Sequence, residues 1–288
     1  MRFLFAAVLL LLPLSAQAGE KVTFTHAPLS GNQTVVQSED LRMDFGIDIF
    51  MGEANLGTMR AENVEGSLLT AKLGKWNDKK KTASLSYGKC GEKETQTTPD
   101  GKTEVKDEPS LLSGKSYDVT WEKGGEPVIV YSGGGAPEGE ELALVRKDWD
   151  DLTSTEPSDF EAALVGQTVE VGSPLSSDGA VMAKLLSLDD DELSVKDAKM
   201  TLREVAKHNG EQCGIFDLEL TIVGNDAEMS MTMAAKGEAI VSVNGLRAHA
   251  VSLAGPITLA ASIEEDGMKM TMTGGGSFNF NLANTFGK

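Results

Sequence analysis

The segment GIFDLELTIV, at residues 214–223, alternates apolar with polar side chains along most of its length. Successive side chains of a β-strand point to opposite faces, so this alternation predicts a strand with one buried and one solvated face. The segment follows Asn209-Gly210, a pair that favours the backbone of a two-residue hairpin turn. The sequence here therefore predicts an antiparallel strand that begins shortly after a tight turn.

The same alternation recurs along the chain, and two further turn pairs accompany it. Asn244-Gly245 and Asp266-Gly267 each fit a tight hairpin. The other alternating segments are RMDFGIDIF at 42–50, TASLSY at 82–87, QTVEVG at 167–172 and SFNFNL at 277–282. Long amphipathic strands joined by short turns predict a mainly β fold, in which a long antiparallel meander forms a curved sheet or half-barrel.

Helical periodicity is confined to the middle of the chain. EELALVRKDWDDL, at 140–152, places apolar side chains at helical spacing, and Ser158 is a candidate N-cap for a second helix that Gly166 ends. We therefore expect one or two short helices between two β-rich parts. The predicted organisation is a signal peptide at 1–18, an N-terminal β-rich half at 19–132, a Gly/Pro-rich and helical connection at 133–165, and a C-terminal meander at 166–288.

The first eighteen residues have the features of a secretory signal. Arg2 precedes an apolar run from Phe3 to Leu14, and Ala16-Gln17-Ala18 is a small-x-small cleavage site. The run is too short to span a bilayer, which needs about 20 residues. We expect an exported protein, periplasmic or extracellular, without a transmembrane anchor.

Charge and motifs exclude several function classes. Cleavage of the signal removes Arg2 and leaves 25 basic and 44 acidic residues, a formal net charge of −19. This charge argues against nucleic-acid binding, which requires clustered Lys and Arg. The three histidines, His26, His208 and His249, are scattered without metal-site spacing, and no Gly-x-Ser-x-Gly nucleophile motif occurs. We expect no cofactor and no catalysis.

Six methionines form two triplets with the same Met-x-Met-x-Met pattern. These methionines are the candidate ligand-binding residues. EMSMTMAAKG contains Met229, Met231 and Met233, and GMKMTMTGGG contains Met268, Met270 and Met272. Within a strand each triplet shares one face. Methionine fills irregular apolar spaces, so we interpret these faces as core or as the wall of a cavity for an apolar small molecule or lipid.

An alternative interpretation of the triplets is a copper(I) or silver site, because thioethers are soft ligands. The turn pattern predicts three strands between the triplets, which would hold them about 19 Å apart in an open sheet. No His or Cys adjoins either triplet. The sequence therefore favours an apolar face, with no other metal site predicted.

Two cysteines remain in the mature chain, Cys90 and Cys213. Exported proteins meet an oxidising compartment, where a matched pair of thiols is usually oxidised. We expect a Cys90–Cys213 disulfide; the alternative is two separate buried thiols.

The signal, the long amphipathic strands and the central helices resemble exported bacterial β-rich proteins of unassigned function. The layout is also similar to that of periplasmic half-barrel carriers of lipids or lipoproteins, a resemblance that implies a curved sheet covered by helices around an apolar cavity. Our interpretation is an exported, non-catalytic binding or envelope-associated structural protein. The alternatives are the copper(I) or silver protein and an unrecognised hydrolase.

Export is directly testable at the amino terminus. By the small-residue cleavage rule, the mature protein should begin at Gly19. Amino-terminal sequencing of protein purified from its own host should read Gly-Glu-Lys-Val. Recovery of an intact Met1 from the exported fraction would contradict the predicted signal.

Overall fold

The computed structural model describes residues 19–175, 193–225, 229–265 and 268–287. The protein is mainly β, with 68% of residues in strands and 8% in helices, so the predicted fold class is confirmed.

The described chain forms seventeen strands and two helices. The short strands are β1 (Lys21–Thr23), β2 (Thr25–His26), β9 (Val128–Tyr131), β10 (Thr168–Glu170), β11 (Pro174–Leu175) and β15 (Asn244–Gly245). The long ones are β3 (Thr34–Met51), β4 (Ala54–Leu73), β12 (Leu193–His208), β13 (Glu211–Asn225), β14 (Met229–Ser242), β16 (Ala248–Glu265) and β17 (Met268–Gly287). Of intermediate length are β5 (Lys80–Tyr87), β6 (Gly91–Thr97), β7 (Thr103–Pro109) and β8 (Ser116–Glu122). The helices are α1 (Gly139–Thr153) and α2 (Asp159–Leu164).

Thirteen strands form one open antiparallel sheet, in the order β11-β12-β13-β14-β16-β17-β3-β4-β5-β8-β9. The long β4 pairs with two different strands along the same edge: β5 pairs with its C-terminal part and β6 with its N-terminal part. β7 pairs with β6 as the second arm of a hairpin. Outside this sheet, β1 pairs with β10 and β2 with β15.

Side-chain alternation gives the sheet one inner and one outer face, as β3 illustrates. Odd-numbered Phe45 and Ile47 lie on the inner face, whereas even-numbered Asp44 and Asp48 lie on the outer face. Ile47 is buried, and Asp44 is exposed. The outer face is held by polar contacts such as the hydroxyl of Thr58, which donates to Asp48 Oδ1 at 2.5 Å.

Two hydrophobic clusters cover different parts of the inner face. The first joins β12, β13, β14, β16 and β17 to the small β1–β10 sheet and α2, with Phe24 against Phe216 at a ring-centroid distance of 5.6 Å. The second joins β4, β5, β8 and β9 to α1, whose Val145, Trp149 and Leu152 are buried. The two helices thus pack over different parts of one sheet.

Local capping chemistry explains where α2 begins. The backbone N–H of Glu161 donates to Ser158 Oγ at 3.3 Å, and the N–H of Ser158 donates to Glu161 Oε2 at 2.7 Å. This reciprocal capping box confirms Ser158 as the N-cap, and Gly166 follows the helix with a positive φ of 72°. Neither helix of the described chain combines the length and apolar character needed to cross a membrane.

The three predicted hairpin turns have different outcomes. Asn209-Gly210 forms the two-residue turn between β12 and β13, with φ angles of 49° and 86°. The tight hairpin predicted at Asn244-Gly245 is wrong: these two residues lie in a longer connection and pair in parallel with β2. Asp266-Gly267 lies outside the described residues.

The predicted Cys90–Cys213 disulfide is absent from the structure, where both cysteines are free and buried. Cys213 begins β13, whereas Cys90 precedes β6, six strand-to-strand steps away across the sheet order. At about 4.8 Å a step this path is roughly 29 Å, against a Cα separation of about 7 Å at most for a disulfide. The alternative of two separate buried thiols matches the structure.

Gly237 lies on the inner face of β14, where the backbone of β16 approaches closely, so a substitution at this position tests the packing of the two strands. A Cβ added at Gly237 in β14 would lie 1.7 Å from the carbonyl oxygen of Ser252 in β16. Gly237→Ala must push the two backbones apart, and we expect it to lower the free energy of unfolding by at least about 2 kcal/mol.

The matched control is Gly46→Ala in β3, where the added Cβ would make only ordinary contacts, with Thr58 Cγ2 at 3.7 Å and the carbonyl oxygen of Met59 at 3.9 Å. Alanine is favoured over glycine inside a strand, so this variant should be neutral or slightly stabilised. Urea denaturation of both variants measures the difference. Equal stabilities would contradict the close β14–β16 approach.

Candidate functional site

A groove of about 1060 Å³ lies on the inner face of the sheet beside the second hydrophobic cluster. Its floor comes from the central strands: Val35 of β3, Leu69 of β4 and Phe286 of β17 line it, and all three lie on the inner face. The groove thus has an apolar floor supplied by strands that are far apart in the sequence.

Carboxylates surround this floor. Eight acidic side chains line the groove, against two that are permanently basic, Lys147 and Arg247. The acidic residues are Glu39, Glu65, Glu92, Glu108, Asp148, Asp151, Glu156 and Glu161. The groove therefore concentrates negative charge beside an apolar surface.

Helix α1 forms one wall, and three polar contacts fix its position. Tyr117 donates its hydroxyl to Glu141 Oε1 at 2.6 Å, and Lys115 Nζ donates to Glu141 Oε2 at the same distance. At the other end, Lys81 Nζ donates to the carbonyl of Thr153 at 3.2 Å, which suits the negative end of the helix dipole. The hydrogen bonds from Lys115 and Tyr117 lower the pKa of Glu141 to about 2.

The fixed helix turns Asp148 towards the groove, where a tyrosine orients it. The hydroxyl of Tyr87 donates to Asp148 Oδ2 at 2.5 Å. Burial raises the pKa of the Asp148 carboxyl, and the hydrogen bond from Tyr87 offsets part of that rise. Burial likewise raises the pKa of Asp151, one helical turn further along. Asp148 is half-buried and loses hydration, which favours a compensating positive charge, whereas Asp151 remains exposed.

Glu39 lies on the sheet floor near other charged side chains. Burial raises its pKa, and repulsion from Glu65 and Asp40 raises it further, whereas Lys147 lowers it. Within the described residues, no ion pair joins Glu39 or Glu65 to a basic side chain. The floor thus carries two carboxylates on neighbouring strands without a direct counter-charge.

The opposite wall of the groove contains buried polar groups. His26, Arg247 and Asn284 line it, and each has at least one buried side-chain atom without a hydrogen-bond partner in the described chain. His26 Nδ1 lies 3.8 Å from Glu161 Oε2. Polar atoms of this kind are usually satisfied by water or by a ligand, so this wall is able to accept further hydrogen bonds.

Behind Arg247, the structure brings together two histidines that the sequence places far apart. The rings of His208 and His249 are 5.2 Å apart, and His249 Nε2 lies 3.3 Å from Glu211 Oε2. Burial lowers the pKa of His249, and the contact with Glu211 partly opposes this. The three histidines are scattered in the sequence, and the β12–β13 hairpin and β16 bring the strand ends that carry this pair together.

No three His, Cys, Asp or Glu side chains of the described chain gather in a way that would hold a metal ion. The groove acids are spread over several elements, so they form an electrostatic surface and not a coordination shell.

The predicted methionine faces lie at the other end of the sheet, and no described methionine side chain lines the groove. Met233 is buried in the first hydrophobic cluster, Met231 and Met272 are half-buried, and Met229 and Met270 are exposed. The side chain of Met268 lies outside the described residues. Met233 thus lies in the core, and the other described methionines of the triplets lie nearer the solvent.

The spacing predicted between the triplets is also wrong. A single strand, β16, separates β14 from β17, so the two methionine strands are about 9.6 Å apart and not 19 Å. Only two predicted turn pairs, Asn244-Gly245 and Asp266-Gly267, lie between the triplets, and two turns bound a single strand, so the count of three strands was too high.

Comparison of this chain with protein-family models and with curated proteins finds no match in either set.

The perturbed carboxyl of Glu39 gives a testable pH dependence. Its raised pKa means that the folded state holds the proton more tightly than the unfolded state does, so ionisation costs stability as the pH rises through the folded pKa. Glu39→Gln cannot ionise. We therefore expect its melting temperature to exceed that of the wild type at pH 7.5, and the difference to vanish near pH 3.5.

The control is Asp44→Asn, which removes an exposed carboxylate from the outer face of the same strand. Thermal unfolding followed by circular dichroism at both pH values separates the two variants. A lower melting temperature for Glu39→Gln at pH 7.5 would show that the ionised carboxylate stabilises the groove.

Proposed function

We propose that this chain is an exported, non-catalytic binding protein whose groove takes a ligand with an apolar part and a positive charge. The observation that carries the proposal is the lining of the groove: an apolar floor with eight carboxylates against two permanently basic side chains. An uncharged lipid would leave most of these carboxylates desolvated without compensation, and an anionic lipid would be repelled by them.

Partial burial makes the groove charges effective. At 4 Å, two unit charges attract by about 1 kcal/mol in bulk water and by about 4 kcal/mol at an effective dielectric constant of 20. The raised pKa values of Glu39, Asp148 and Asp151 indicate that these carboxyls lie in such a less polar environment. A cation placed among them would gain more than one held at an exposed acidic surface.

The apolar floor supplies a second, independent contribution. Burying apolar surface is worth about 25 cal/mol per Å², so an alkyl chain covering 150 Å² of floor would gain roughly 4 kcal/mol before the entropy cost of binding. The floor residues Leu69 and Phe286 lie on different strands, so an extended chain can contact several strands at once. These properties favour a cationic amphiphile over a small polar cation.

The long-range field of the protein acts in the same direction. The mature chain carries a formal net charge of −19, which raises the local concentration of cations around it. Binding of a cationic ligand should therefore weaken with added salt, because screening reduces this attraction.

The proposal is tested with matched probes of opposite charge. We expect decylammonium to bind in isothermal titration calorimetry, and decanoate, with the same apolar chain and a negative charge, not to bind. Spermine, which carries charge without an apolar chain, should bind more weakly than decylammonium. Decanoate binding as tightly as decylammonium would contradict the proposal.

Variants locate the site. Glu39→Gln combined with Glu65→Gln removes both floor carboxylates and should weaken decylammonium binding about tenfold, which corresponds to about 1.4 kcal/mol. The control is Asp44→Asn combined with Glu104→Gln, which removes the same number of charges from exposed positions outside the groove. An equal loss of decylammonium affinity in both double variants would show that only the net charge matters. The groove would then be rejected as the binding site.

A further inference from the structure

The exposed methionines of the described chain all lie in one place. Met51 is 43% exposed, Met229 is 42% exposed and Met270 is 36% exposed. They belong to the ends of β3, β14 and β17, which meet at the edge of the inner face remote from α1. Met51 is outside both triplets, so the sequence pattern alone does not place it with the others.

The strand register brings these side chains together. Met270 of β17 is directly opposite Met51 of β3, and cross-strand partners have Cβ atoms about 4.5–5.5 Å apart. Met272 lies two residues along β17 on the same face, within diagonal reach of Met51. Three thioethers from two adjacent strands therefore share one small area of the sheet.

The fourth thioether approaches across a gap in the side-chain layer. Met229 and Met272 lie in one cross-strand row with Ala261 of β16 between them. Because alanine has only a methyl group, the long side chains on either side can extend over it towards each other. Met51, Met229, Met270 and Met272 are named here the methionine patch.

We propose that the methionine patch binds a soft monovalent metal ion of the copper(I) or silver(I) type. Thioether sulfurs are soft, neutral ligands that select such ions over zinc, calcium and magnesium. Metal–sulfur bonds are about 2.3 Å long, as in zinc sites, so sulfurs that share one ion lie at most about 4.6 Å apart. The flexible, unbranched side chains of Met51, Met270 and Met272, on the paired strands β3 and β17, can reach that separation without backbone movement, whereas Met229, three strand steps from Met51, approaches the ion only from the side of Met272.

Solvent access distinguishes this patch from the packed methionines. Met200 is 1% exposed and Met233 is 6% exposed, and both pack in the first hydrophobic cluster. Their sulfurs are enclosed by apolar side chains, whereas those of the patch can be reached from solution. The excess negative charge of the protein also favours approach of a monovalent cation.

The test uses the full mature chain labelled with ¹³C at the methionine ε-methyl groups. Silver nitrate is titrated in chloride-free buffer, because silver(I) needs no reductant. We expect one equivalent to shift the methyl resonances of the patch and to leave those of Met200 and Met233 unchanged. Zinc at the same concentration should shift none of them.

The matched variants replace Met51, Met229 and Met270 together by Leu, which preserves most of the side-chain volume. This triple variant should bind silver(I) at least tenfold more weakly, whereas Met200→Leu should bind as the wild type does. Because thiols bind silver(I) more tightly than thioethers do, every titration is carried out in the Cys90→Ala, Cys213→Ala background, so that unmoved patch resonances report on the patch itself. Unmoved patch resonances, or shifts at Met272 that persist in the triple variant, would overturn the proposal.

Discussion

The pairing of β3 with β17 is the constraint on which the rest of the structure depends. Eighteen consecutive positions are in register between these two strands, one from near the beginning and one from the end of the chain. No turn links them, so their pairing closes a loop of more than two hundred residues, and the entropy cost of that closure must be offset by side-chain packing. The inner-face residues of both strands supply that packing, including Phe278 and Phe280 in the first hydrophobic cluster.

The central pair also decides where the groove and the methionine patch lie. At one end of β3 and β17, Val35 and Phe286 form the groove floor beneath the helices. At the other end, Met51 and Met270 lie opposite each other near the solvent. One long strand pair thus carries two chemically different surfaces on the same face, separated by a packed apolar middle.

The sequence predicts the strands well because their signal is local. Alternation in segments such as 214–223 and 277–282 follows from the geometry of a single strand, and the capping box at Ser158 likewise needs only three consecutive positions beyond it. Strand order is not local. The predictions that depended on strand order, namely the distance between the methionine strands and the Cys90–Cys213 bond, are corrected by the structure, as is one local prediction, the tight hairpin at Asn244-Gly245.

The groove could not have been found from the sequence for the same reason. Glu39, Glu65, Asp148 and Asp151 occur among 44 acidic residues, and nothing in their neighbours marks them. Only the β3–β4 register and the docking of α1 through Tyr87 and Tyr117 bring them around one apolar floor.

That arrangement works against stability, since three of the groove carboxyls have pKa values raised by burial. A sheet selected only for stability would place an apolar or hydrogen-bonded side chain at the inner-face position of Glu39, as it places Phe278 and Phe280 in β17. Glu39 and Glu65 instead place negative charge on an otherwise apolar face without a direct counter-charge. A cationic ligand would supply that counter-charge. The methionine patch breaks the core pattern in the opposite way, because it exposes apolar side chains to solvent. These side chains lie at the ends of strands whose middle parts are buried. The floor carboxylates and the methionine patch both lie on the inner face of the sheet, which elsewhere forms the core. The alternation that predicts the fold therefore also identifies the inner-face positions at which the core pattern is broken.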